Sequence, residues 1–258
     1  MNNLPAIRQY SDLILVKVAA NLRSETSGNY LGYLWWIFEP ALRMLVYYLV
    51  FGFLLRRGTD DYVLFLLTGL IPCIWFTRSV AGSMISIIQG KGLMMQVHLP
   101  KIILPTIRIC QDAVKETVVI ILLFIFLLLY GVSPSLPWFA LPVMFVTEFL
   151  LIAASAYIIS AVIPFFPDLR IIVPVGLQMI MFCSGTFYSI DMIPAQYHRL
   201  FLMNPVASLL HNYRNILLYN QWPDWNSLLF ITAGSLVAIY VMWLVFRRLD
   251  HFYPRITL

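Results

Sequence analysis

Long unbroken apolar runs decide what this chain can fold into. Six stretches, residues 35–55, 62–88, 106–130, 138–166, 171–188 and 227–246, reach or approach the roughly 20 residues that a helix needs to cross a hydrocarbon layer of about 30 Å. A membrane β-barrel would instead alternate apolar and polar residues over segments of about ten, and no such alternation is present. Composition agrees: of 258 residues, 61% are hydrophobic and 11% charged, against roughly 25% charged in soluble domains. Too little polar surface remains to cover the chain in water, which excludes a soluble enzyme, a disordered tail and a disulfide scaffold. Cys73, Cys110 and Cys183 lie in or beside apolar runs and read as small buried hydrophobes. His98, His198, His211 and His251 lack zinc-ligand spacing, so no metal site is expected. No signal peptide is expected at the N-terminus.

The segments between the runs have their own characters. Over residues 4–23, Ile7, Tyr10, Leu13, Ile14 and Val18 recur at helical steps, with Arg8, Gln9, Asp12, Lys17 and Asn21 elsewhere around the wheel. Pro5 suits a first helical turn. This segment is too charged to span and reads as an amphipathic helix in the membrane interface. Residues 90–105 form a basic, glycine-containing loop. Residues 189–225, interrupted by Pro194, Pro205 and Pro223, are too broken to span and read as short re-entrant helices with amphipathic stretches at 197–203 and 207–218. Bends are expected at Pro72, Pro142 and Pro164. The fold class is therefore all-α integral membrane, one domain over 1–258 with six transmembrane helices. Ten basic residues (Arg8, Lys17, Arg23, Lys91, Lys101, Arg108, Arg170, Arg247, Arg248 and Arg255) fall on one side of this arrangement. Four (Arg56, Arg57, Arg199 and Arg214) fall on the other. Both termini and the 90–105 loop are thus expected in the cytoplasm, with 189–225 facing out.

Several chemistries lack their residues. Gly90-Lys91-Gly92 is the nearest approach to a phosphate loop, but it lacks the upstream glycine and the following Ser or Thr. Nucleophile elbow, dinucleotide fingerprint and inverted repeat are also missing. An integral-membrane enzyme would gather acids or histidines at one membrane face, whereas the histidines here are spread over both. Charges inside the spans are costly and mark function by default. Glu39 and Arg43 stand four apart on the first span, acid before base. Arg108, Asp112, Lys115 and Glu116 form a second group, able to neutralise itself through Arg108–Asp112 and Asp112–Lys115. Arg78 and Glu148 have no partner nearby in sequence. Tyr30, Tyr33, Trp35, Trp36, Phe38, Tyr47 and Tyr48 are denser than an interfacial belt requires. Tyr33, Trp35, Trp36, Tyr47 and Tyr48 are candidates for lining a substrate channel, where flat rings stack on sugar faces.

The order of parts resembles the permease subunits of type-two ABC exporters, in the branch that exports O-antigen, capsule or teichoic-acid polysaccharides. The residues that carry the resemblance are Leu31-Gly32-Tyr33-Leu34-Trp35-Trp36-Ile37-Phe38-Glu39-Pro40, Gly69-Leu70-Ile71-Pro72 and Leu99-Pro100-Lys101-Ile102-Ile103-Leu104-Pro105. Further along come Phe166-Pro167-Asp168-Leu169, then Ser184-Gly185-Thr186-Phe187-Tyr188, Ile193-Pro194, Asn204-Pro205 and Arg214. Ser184-Gly185 replaces a proline-containing element common in that family. The resemblance implies a non-enzymatic transport subunit of the bacterial inner membrane: a homodimer working with two copies of a separate nucleotide-binding subunit, which holds ATP and Mg, while this chain binds no cofactor and no nucleic acid. It implies that the interfacial helix and the 90–105 loop dock on that ATPase, with Leu93, Met94, Met95, His98, Pro100 and Lys101 as contacts. A lipid-linked glycan would arrive from the cytoplasmic leaflet, its pyrophosphate drawn by Arg8, Lys17 and Arg23. Rival expectations are a drug or lipid exporter of the same class, and an integral-membrane enzyme of lipid or glycan metabolism.

Overall fold

The computed structural model describes residues 4–27, 30–50, 62–96, 99–250 and 253. Among these residues the secondary structure is helical throughout, with no strand. The α-helices are α1 (Leu4–Ser27), α2 (Trp35–Tyr47), α3 (Tyr62–Met84), α4 (Ser86–Gln89), α5 (Lys91–Gln96) and α6 (Ile103–Leu129). They continue as α7 (Leu141–Val162), α8 (Leu169–Cys183), α9 (His198–Leu202), α10 (Pro205–Leu217) and α11 (Trp225–Leu249). Among the described residues, three segments are long and apolar enough to cross a membrane: α3, α7 with the short turn that leads into it, and α11. At 27 residues α6 is long enough, about 40 Å, but Asp112, Lys115 and Glu116 interrupt its apolar run. The 15 residues of α8 extend only about 22 Å. The remainder of the first apolar run and the turn after it lie in residues 51–61, outside the described residues.

Packing places α3 at the centre, against α6, α7, α10 and α8. Burial does not follow hydrophobicity. The most apolar window of α3 is 78% buried, whereas that of α11 is 17% buried. A helix facing lipid needs only apolar side chains, whereas one enclosed by protein needs small and polar ones for close contact. Gly69, Ser79, Ser83 and Thr68 on α3 are of that kind. Tyr253 is fully buried, donates to the Ala161 carbonyl at 3.2 Å and packs on Phe165 and Phe246.

The sequence expectations need several adjustments. The second run does not continue to Ile88, because α3 ends at Met84 and a break at Ile85 starts α4. The 90–105 segment contains α5 as well as loop. Pro142 lies in the first turn of α7, where its missing N–H costs nothing, and Pro164 lies beyond its last residue, so neither bends the helix interior. The fifth run stops at Cys183, and Gly185 follows with φ of 71°. A Cβ there would sit 2.8 Å from the Phe201 ring, so glycine meets both a backbone and a space requirement. Of the three free cysteines Cys73 is buried, Cys110 half-buried and Cys183 exposed, the last against expectation because it ends a thinly covered helix.

Candidate functional site

The first turn of α2 holds Trp35 and Trp36 beside a cavity of about 400 Å³ between α2 and the α3–α6 pair. Glu25 from α1, Glu39 and Arg43 from α2, Arg78 from α3, and Arg108, Lys115 and Glu116 from α6 form its charged wall. Trp36 is half-buried and meets Tyr33 edge-to-face at 5.1 Å. Tyr33, Trp35 and Tyr48 are exposed. Tyr47 lies on α2, and its side chain lies outside the described residues. The structure therefore brings Trp35 and Trp36 to a cavity and leaves Tyr33 and Tyr48 exposed among the described residues. A pocket of this volume with aromatic walls and convergent polar groups has the character of a small-molecule site.

The charges are arranged in pairs. Glu39 accepts from Arg43 at 2.8 Å, both more than half exposed. Arg108 donates to Asp112 at 3.0 Å, and Arg78 donates to Glu116 at 3.2 Å. Asp112 and Glu116 are buried, so their partners compensate a charge that would cost about 2.5–3.5 kcal/mol alone near a bilayer centre. Gly82 makes one of these contacts possible: a Cβ there would sit 2.5 Å from the Arg108 Nε. Asp112 and Lys115 do not pair as their spacing led one to expect. Lys115 turns to Glu25 of α1 at 2.6 Å, and Gln111 donates to the same carboxylate at 3.0 Å. Burial opposes ionisation of Glu25, but the hydrogen bond and charge of Lys115, with help from Gln111 and Arg108, outweigh it and hold the carboxyl below its usual range. Glu25 lies past the expected end of the interfacial helix, so sequence reasoning missed it.

Glu148 and Arg78 both face protein. Glu148 is buried and accepts from the Tyr213 hydroxyl at 2.8 Å, beside a second cavity of about 350 Å³ that also reaches Glu116 and Trp75. Arg214 lies on α10, in the stretch read as amphipathic over 207–218, and its side chain is turned into the bundle. It is 5% exposed and donates to the carbonyls of Phe65, Gly185 and Thr186 at 3.2, 2.8 and 3.1 Å, with its guanidinium 3.5 Å over the Phe65 ring. A Cβ on Gly69 would collide with that guanidinium. Gly69 and Arg214, far apart in sequence, are thus one feature in space.

The 90–105 candidates divide. Met94 and Pro100 are half-buried, while the side chains of Leu93 and Met95 and all of His98 lie outside the described residues. Lys101 is 3% exposed and is held by Asp250 through both its backbone N–H at 3.1 Å and its ammonium at 3.4 Å. Lys17 and Arg23 are exposed on α1, and the Arg8 side chain lies outside the described residues.

A helical chain with several apolar spans, paired charges buried beside them and an aromatic cavity is a polytopic membrane protein. The chain belongs to the ABC-2 type transporter membrane family, which it matches over residues 14–218. It is 29% identical over 241 residues to the O-antigen export system permease protein RfbA of Myxococcus xanthus, covering 93% of each chain. It is 28% identical over 247 residues to a protein of that name from Klebsiella pneumoniae, covering 95% of each. With the polysialic acid transport protein KpsM of Escherichia coli it shares 26% identity over 230 residues, which is 84% of this chain and 85% of that protein.

Proposed function

We propose that this chain is the channel-forming permease subunit of an ATP-driven exporter that carries a lipid-linked polysaccharide, of O-antigen or capsule type, across the bacterial inner membrane. The observation that carries this reading is similarity over nearly the whole chain to permeases named for O-antigen export and polysialic acid transport. In this reading the single domain crosses the membrane six times, both termini and the 90–105 loop are cytoplasmic, and α9 and α10 form the outer re-entrant segment. ATP and Mg bind a separate subunit, present in two copies beside two copies of this chain. It docks against α1 and against the 90–105 loop, where Leu93, Met94, Met95, His98 and Pro100 supply contacts and Lys101 holds the loop from within through Asp250. The homodimer has a physical rationale: α2 exposes Phe38, Leu42 and Leu45 on one face, and α8 exposes Ile171, Val175 and Met179 at four-residue steps. Two copies would enclose these faces and the Tyr33, Trp35, Trp36, Tyr47 and Tyr48 rings around a common path.

The charges argue for where the lipid pyrophosphate goes. Around the cavity, Arg43, Arg78, Arg108 and Lys115 are each held within 4 Å by a carboxylate. The wall has no net charge to offer an anion. Lys17 and Arg23 on α1 are exposed, so the pyrophosphate is assigned to α1 with Arg8, and the hydroxylated rings to the aromatic groups.

The test is a clean deletion, complemented with the tagged chain. Surface polysaccharide should vanish on deletion and return with the wild-type chain, and a nucleotide-binding subunit should co-purify from mild detergent. Unchanged surface polysaccharide would overturn the reading.

A further inference from the structure

We infer that Glu25 and Lys115 form the joint through which a displacement of α1 reaches the buried charge cluster. The inference rests on the exporter reading, in which α1 lies against the ATPase. Its basis is how α1 is attached. The principal packing partner of α1 is α6, apart from the turn at Gly32–Leu34. The apolar part of that contact, at Val18 and Leu22, is non-directional and permits sliding. The polar part fixes a register. Asn21 and Glu25 stand four apart on α1, and Gln111 and Lys115 stand four apart on α6. Asn21 donates to Gln111 at 3.5 Å, Gln111 donates to Glu25 at 3.0 Å, and Lys115 pairs with Glu25 at 2.6 Å. Two matched rungs of this kind hold two helices against translation.

The next residues round α6 carry the contact onward. Asp112 and Glu116 follow Gln111 and Lys115 directly, about 100° round the helix, and face Arg108 and Arg78. Both acids are buried, so a shift of α6 that left Arg78 behind would strip a carboxylate of its cation in apolar surroundings. Arg78 and α3 must therefore follow α6. The wall displaced is the one that bounds the cavity behind α2, formed by Arg78, Arg108 and Glu116. Lys115 is a positioning residue in this arrangement: it sets where α6 sits for a given position of α1.

The experiment uses the whole complex, purified with its ATPase subunit, together with surface polysaccharide on cells making their own glycan. The variants are Glu25→Gln, Lys115→Met and the reversal Glu25→Lys with Lys115→Glu. Each single change should leave complex recovery and ATPase rate unchanged and lower export up to about fivefold, the most a half-exposed ion pair can transmit. The reversed pair should restore export. A lesion that was merely structural would reduce recovery and ATPase rate together, and that result would overturn the inference, as would wild-type export in both single variants. Impaired single variants that the reversal does not rescue would overturn it too, leaving the exporter reading intact. If instead deletion of the chain left surface polysaccharide unchanged, the exporter reading would fall and the inference with it.

Discussion

Arg214 is met by three backbone carbonyls and a ring face rather than by a carboxylate. That geometry uses the fork of the guanidinium, which an ammonium cannot reproduce. Arg214→Lys should therefore destabilise by about 2–4 kcal/mol, since charge-assisted hydrogen bonds contribute about 1.5–3 kcal/mol each. The check is the thermal midpoint of tryptophan fluorescence in nanodiscs. Gly69→Ala offers a sharper contrast. Helix propensity alone favours alanine by about 1 kcal/mol, but the new Cβ would occupy the place of the guanidinium, so the same measurement should show a net loss. A midpoint raised by this substitution would refute the pairing of Gly69 with Arg214. Glu25 makes a pH prediction. Its carboxyl is held below the usual range, so its contribution to docking α1 is present at neutral pH and is lost as the pH falls below about 4.3, through the folded-state value. Because the pair is half-exposed the loss is under about 1 kcal/mol. It should appear as faster hydrogen exchange near residues 21–27 in acid, and Glu25→Gln should abolish that pH dependence.

At the scale of elements, the interrupted segment 189–225 separates what sequence can say from what it cannot. Asn204-Pro205 announces a helix start, and the Asn204 side chain does cap α10 by accepting from the Val206 N–H at 3.0 Å. It also donates to Ser184 at 2.9 Å, tying the cap to the end of α8. Asn204→Ala should thus cost about 1 kcal/mol for the cap, plus the lost tie, read as an earlier unfolding midpoint. That α10 is buried over ten of its thirteen residues was not legible. The sequence reads only as an amphipathic stretch over 207–218, whereas Asn212 and Arg214 find their partners on α11, α3 and the Gly185 turn. Partners that far away in sequence leave no local periodicity. Tyr253 behaves likewise, enclosed against Phe165 and Phe246. Tyr253→Phe should cost about 1 kcal/mol for the lost hydrogen bond, and Tyr253→Ala about 3–5 kcal/mol for the cavity.

For the molecule as a whole, hydrophobic runs located the helices because lipid imposes one requirement on every residue that faces it. The charges inside were visible as anomalies, and those four apart on one helix, Glu39–Arg43 and Arg108–Asp112, could be paired from spacing alone. The pairs that cross between helices, Glu25–Lys115, Arg78–Glu116 and Lys101–Asp250, could not, because helix order in sequence does not fix which faces meet. The central position of α3 was hidden for the same reason.

That central position bears on how the protein is made. Phe65 leaves the ribosome 149 residues ahead of Arg214, the residue that takes its carbonyl. At roughly 5–20 residues per second this is an interval of about 7–30 s. During it α3 already holds its glycine groove and buried serines, while α6, α7 and α10, which will cover them, are still being synthesised. The helix at the heart of the bundle is inserted early and enclosed late. In that interval the nascent chain depends on the insertion machinery, or on its own transient contacts, to keep the groove from the wrong neighbour.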